Sequence, residues 1–107
     1  FQVETESRLL QVYNYPNPFG RTTYFTFIIT GRTMPEEVLI KIYTVAGRLI
    51  KTIRCNQSEL QAGFNRVYWD GRDAEGDEIA NGIYLYKILM KCENETVEAT
   101  QKLAIVR

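Results

Sequence analysis

Five carboxylates crowd into WDGRDAEGDEIANG (residues 69–82): Asp70, Asp73, Glu75, Asp77 and Glu78. Oxygen-rich sets of this kind are what a hard cation such as calcium selects. An EF-hand register does not fit. Aligning Gly76 with that loop's obligatory glycine puts Gly71 at the first ligand position and Gly82 at the bidentate one, and neither carries a side-chain oxygen. Asp70, Asp73 and Asp77 remain weak calcium candidates. They stand against a plain connection whose aspartates bond their own backbone and whose glycines take positive φ. No other metal site and no cofactor is expected.

Nucleophilic chemistry has less to work with. The chain contains no histidine, so Ser7, Ser58 and the two cysteines, Cys55 and Cys92, lack the base that commonly activates a hydroxyl or thiol. No catalytic residue is assigned, and the domain itself is not expected to be an enzyme. The cysteines are too few for a disulfide framework and are not spaced as zinc ligands. They read as two partly buried thiols at strand ends, with a single bridge as the alternative. Asn94-Glu95-Thr96 fits a glycosylation sequon but also fits a tight turn. Asn17-Pro18-Phe19 is flanked by aromatics that suit a core.

Lysine plus arginine equals aspartate plus glutamate at 13 each, so no net field draws the chain to nucleic acid or anionic lipid. Runs such as YFTFII are far too short for a membrane helix, and direct membrane insertion is not expected. At 107 residues the chain is long enough for one ordinary core. We expect a single domain over residues 1–107, with 1–8 as linker. Opening on Phe1, it is expected to be the C-terminal piece of a longer protein.

The elements that position these residues are strands. Alternating apolar runs bounded by turn residues predict strands over 8–15, 22–30, 37–45, 48–55, 63–71, 81–92 and 96–107. Gly47 supplies a hairpin turn, and the sole helical signal, Gln57–Gly63, lasts one or two turns. Seven short strands without helix describe an all-β, antiparallel immunoglobulin-like sandwich. Trp69 is its natural core anchor. In YNYPNPF, two prolines that cannot donate to a ladder end the first strand near Tyr15, leaving Phe19 with Tyr13 or Tyr15 to plug the end of the sandwich. A glycan-gripping sandwich would need an exposed aromatic row, whereas Tyr24, Tyr43, Tyr68, Tyr84 and Tyr86 mostly suit buried or half-buried positions.

Taken in order, YPNPF (15–19), VLIKIYTVAGRLIKTI (38–53), AGFNRVYWDGRDAEGDEIANGIYLYKI (62–88) and KLAIVR (102–107) resemble the type A C-terminal sorting domain of type IX secretion cargo in Bacteroidetes-type bacteria. The same outline is similar to the immunoglobulin-like domain of flagellar hook-capping proteins. The resemblance implies a non-catalytic export module, recognised in the periplasm, passed through the outer-membrane translocon, and usually removed by a surface sortase. Implied partners are translocon and sortase components and the other domains of the parent protein. The implied destination is the cell surface or the medium. By position, Lys102, Leu103, Ala104, Ile105, Val106 and Arg107 would be the recognition strand. Pro16, Asn17, Pro18, Phe19, Gly47, Arg48, Trp69, Asp70, Gly71, Gly82 and Tyr84 would be structural signatures. The connection TGRTMPEE (30–37) is longer than the usual one, and IYTVAGRLI is similar to the version the sortase itself retains. The parent is therefore an exported cargo, such as a C25-type cysteine peptidase, or that sortase. The rivals are a hook-cap-type assembly module and an accessory glycan-binding sandwich.

Overall fold

The computed structural model describes residues 7–107. Its strands are β1 (Arg8–Tyr15), β2 (Thr23–Thr30), β3 (Glu37–Thr44), β4 (Leu49–Asn56), β5 (Gly63–Trp69), β6 (Gly82–Lys91) and β7 (Thr96–Ile105). A single 3-10 turn, Gln57–Glu59, is all that forms of the short helical signal. The strands make two sheets, one ordered β1-β2-β5 and the other β4-β3-β6-β7, with every strand pairing antiparallel. This is the immunoglobulin-like sandwich that the alternation predicts.

Period-two patterning sets the core. Phe25, Phe27 and Ile29 of β2, Val38, Ile40 and Ile42 of β3, and Tyr84, Tyr86, Ile88 and Met90 of β6 all turn inward and are buried. Trp69 ends β5 at the centre of an aromatic cluster. It stacks on Phe25 at 5.8 Å between ring centroids and meets Phe19 edge-on, also at 5.8 Å. Phe25 in turn contacts Tyr86 at 4.8 Å. Strand β5 stops at Trp69, two residues before the expected end, because the chain corners at Asp70-Gly71.

Strand β1 carries a bulge. The register slips between Leu10 and Tyr13, and Gln11 sits at φ +49° as the extra residue. The slip keeps Val12 and Asn14 facing the core while Tyr13 and Tyr15 face out. The cysteines are free. Cys55 on β4 lies opposite Val38 of β3, and β3 separates it from β6, which ends just before Cys92. Two strand spacings, roughly 10 Å, exceed what a disulfide spans.

Candidate recognition surface

The segment after β1 does more than end the strand. Both X–Pro bonds, Tyr15–Pro16 and Asn17–Pro18, are cis. The Pro16 carbonyl accepts hydrogen bonds from Thr23 Oγ1 at 2.8 Å and Asn14 Nδ2 at 3.3 Å, which ties the loop to β1 and β2. Beyond it the chain crosses to the other sheet and lies along the outer edge of β7. Phe19 N donates to the Ala104 carbonyl at 3.0 Å, and Val106 N donates to the Phe19 carbonyl at 2.9 Å, forming a parallel bridge. Asn17 extends the pairing with its side chain: Nδ2 donates to the Lys102 carbonyl at 3.2 Å and Oδ1 accepts from Ala104 N at 3.0 Å. The loop therefore acts as a short extra strand.

The ring of Phe19 is buried and plugs the sandwich end against Trp69. Tyr13 and Tyr15 do not share that role. They are 49% and 62% exposed, since the bulge in β1 sends both to the outer face. This corrects the expectation that one of them would join the plug.

The acidic loop clamps the last residue. Arg107 Nε lies 3.2 Å from Glu78 Oε2, its Nη1 donates to the Ile79 carbonyl, and its backbone N donates to Asn81 Oδ1 at 3.2 Å. The corner at 70–72 holds that loop. Trp69 Nε1 donates to the Arg72 carbonyl at 3.0 Å, Arg72 N to Asp70 Oδ1 at 3.1 Å, and Arg72 Nη1 to the Gly76 carbonyl at 2.9 Å. Gly71 sits at φ +74°, and a Cβ there would lie 2.5 Å from the Arg21 carbonyl oxygen, so only glycine fits.

The carboxylates of this loop serve its own backbone. Asp73 Oδ1 accepts from both Glu75 N and Asp77 N at 2.9 Å, a turn-forming use of aspartate. Among the described residues no three acidic or sulfur ligands converge on one point. An open cleft of about 570 Å³ separates this loop from the β3–β4 turn, with Arg48, Ile50, Asp73, Glu78 and Tyr84 among its walls. Gly47, at φ +97°, closes the turn by donating to the Thr44 carbonyl at 2.9 Å, and Arg48 N donates to Thr44 Oγ1 at 3.0 Å. Tyr84 fixes the cleft's other wall, its hydroxyl donating to the Ala80 carbonyl at 2.6 Å, just before Gly82 begins β6.

The closing strand is thus held from three sides. Leu103 and Ile105 point inward and are 1% exposed. Lys102 and Val106 point outward, and Val106 lies one residue beyond β7 near Ile83, which pairs with Ala104; Val106 and Ile83 are 63% and 53% exposed. Lys102 joins no salt bridge among the described residues. Arg107, by contrast, already has its partners in the acidic loop. The sequence carried no sign that Asn17 would pair with residues 85 and 87 positions away.

A family model described as the FlgD Ig-like domain matches residues 14–92. Among solved structures, dimeric latent PorU from Porphyromonas gingivalis is similar at 22% identity and a TM-score of 0.78, covering 95% of this chain and 10% of that one. PorZ from Porphyromonas gingivalis, described as an essential bacterial surface component of the type-IX secretion system, aligns at 24% identity and a TM-score of 0.49, covering 90% of this chain and 11% of that one. The chain therefore spans about a tenth of the length of either protein. No curated protein sequence matches it.

Proposed function

The chain belongs to the FlgD Ig-like domain family, and from that premise we propose that it is a non-catalytic sorting and docking module. In this reading it directs its parent protein through a type IX outer-membrane translocon to the cell surface or the medium. The ordered motifs from YPNPF to KLAIVR support the reading, and one observation carries it. The last six residues are pinned by β6, by the 17–19 segment and by the 78–81 loop, so Lys102 and Val106 are presented outward in a fixed geometry. A segment held this rigidly loses little conformational entropy when a translocon or sortase component reads it.

That geometry also shapes the test. Deleting residues 102–107 removes Leu103 and Ile105 from the core, so failed export could reflect misfolding alone. The informative variants are Lys102→Glu and Val106→Asp, both outward-facing. Fused to a secreted reporter in a bacterium with a type IX system, each variant should fold normally yet reduce surface delivery strongly. Normal surface yield from both would overturn the proposal.

A second reading follows from the family itself, that of a structural assembly module of the hook-cap kind. The wild-type fusion would then stay in the periplasm whatever stands at 102 and 106. Whether the parent is a cargo peptidase or the retained domain of a sortase is read by following the wild-type domain after export. A cargo domain is cleaved off, and a sortase domain stays attached.

A further inference from the structure

We propose that the outer face of the three-stranded sheet binds an acidic polysaccharide. Register places three rows across this face. Tyr15 lies opposite Tyr24, which lies opposite Tyr68; the next row is Tyr13, Thr26 and Arg66; the third is Leu10, Ile28 and Phe64. Tyr13, Tyr15, Phe64 and Tyr68 are 49–62% exposed, a concentration of bare aromatic surface that folded domains rarely leave without use. This reverses the sequence expectation at Tyr68, which was placed among buried or half-buried tyrosines. Of that group, Tyr24 and Tyr43 are half-buried, and Tyr84 and Tyr86 are buried.

The residue types point to the ligand. A tyrosine offers an apolar ring and a hydroxyl together. A sugar ring has the matching character, an apolar C–H face rimmed by hydroxyls. The row Tyr15–Tyr24–Tyr68 sets such groups side by side at strand spacing. The Tyr24 and Tyr68 rings meet edge to face at 5.6 Å, so the platform is preorganised.

Charge complementarity selects an acidic chain. Arg66 lies on the same face with its guanidinium 4.4 Å above the Tyr24 ring. No carboxylate occupies an outward position of β1, β2 or β5, although the chain has as many acids as bases overall. The acids of the described residues lie elsewhere, in the 70–78 loop, at Glu59 of the 3-10 turn, at the start of β3, in the β6–β7 turn and at Glu98 of β7. A stacked guanidinium keeps its edge free to hold a carboxylate or sulfate by paired hydrogen bonds. A single stacked arginine is little for a phosphate backbone, which disfavours single-stranded nucleic acid.

The test is titration of the 107-residue chain with polygalacturonate, with amylose, poly-glutamate and oligo-dT as comparison probes. Polygalacturonate should bind best, and amide shifts on binding should map to β1, β2 and β5. Tyr15→Ala combined with Tyr68→Ala should weaken binding about tenfold or more. Arg66→Gln should weaken it and flatten its salt dependence. Tyr68→Phe, which keeps the ring, should retain most of the affinity if the double variant proves unstable. Binding unaffected by these substitutions, shifts mapping to another face, or equal or tighter binding of poly-glutamate or oligo-dT would each overturn the assignment.

Discussion

Asn17 and Ala104 are joined as neighbouring strands would be, although one is a loop side chain and the other a strand backbone. Asn17 Oδ1 accepts from Ala104 N at 3.0 Å while its Nδ2 donates to the Lys102 carbonyl at 3.2 Å. The amide occupies an edge that would otherwise be open for pairing with another chain. Asn17→Ala removes both bonds and should cost about 1–2 kcal/mol in urea unfolding. Asn17→Asp keeps the acceptor for Ala104 N but sets a carboxylate oxygen against the Lys102 carbonyl, and that repulsion should make it no milder. A loss below about 0.3 kcal/mol for both variants would mean that water replaces the clamp without penalty.

Gly71 and Gly47 both take positive φ but should respond differently to alanine. At Gly47 an added Cβ meets nothing within 4 Å, so the cost is conformational alone, about 1 kcal/mol. At Gly71 the Cβ would lie 2.5 Å from the Arg21 carbonyl oxygen, and backbone must move. Gly71→Ala should therefore cost about 3 kcal/mol or more. In thermal melts the gap between the two variants should exceed about 8 °C. Equal shifts would mean that the 70–72 corner relaxes freely away from residues 19–21.

Alkaline pH should weaken the fold through two groups. Burial, with a smaller effect from Glu59, pushes the Cys55 thiol above its ordinary 9.0, and burial alone pushes the Tyr86 phenol above its ordinary 10.0. Each neutral form is favoured by folding, so the folded chain holds protons that the unfolded chain releases. Stability should be flat with respect to these groups below about pH 9 and fall as pH rises through 9 and 10 toward the raised values. A chemical-denaturation series from pH 7 to 11 reads this directly. A stability that does not fall above pH 9 would contradict the buried placement of both side chains. Cys92, which is less buried, should react with Ellman's reagent faster than Cys55.

Tyr86 gives a sharper variant. Its hydroxyl is buried with no hydrogen-bond partner among the described residues. Tyr86→Phe removes that unsatisfied group and keeps the ring against Phe25, so the variant should be as stable as the parent or up to about 1 kcal/mol more stable. It should also lose the part of the alkaline decline that begins near pH 10. Destabilisation by more than about 1 kcal/mol would show that the hydroxyl has a partner in solution.

The strands were legible because each sheet has one face in the core and one outside, so apolar side chains alternate with a period of two. Trp69 was legible because one large ring among short strands has few places to go. The clamp was not legible, since Asn17 contacts residues 102 and 104 only through topology, and local sequence carries no trace of that closure. Nor was the outward face of Tyr13 and Tyr15, which depends on a bulge at Gln11, a residue with no special liking for positive φ. Tyr68 misled for a related reason. Its neighbour Trp69 reads as core, and alternation alone does not say how completely the opposite face is covered.

Asp73 separates the structural and metal-binding readings of the acidic loop. Its Oδ1 already accepts two backbone hydrogen bonds, from Glu75 N and Asp77 N. A structural aspartate of this kind predicts that Asp73→Asn, which keeps an acceptor oxygen, costs little, while Asp73→Ala costs about 1–2 kcal/mol. Arg107 should feel the loss, because the loop that holds Glu78 is shaped by those turns. Millimolar calcium should leave the melting temperature unchanged, and a chelator should do the same. A calcium-dependent rise of several degrees, abolished in Asp73→Asn, would instead make Asp70, Asp73 and Asp77 ligands and require the loop to open before the ion enters.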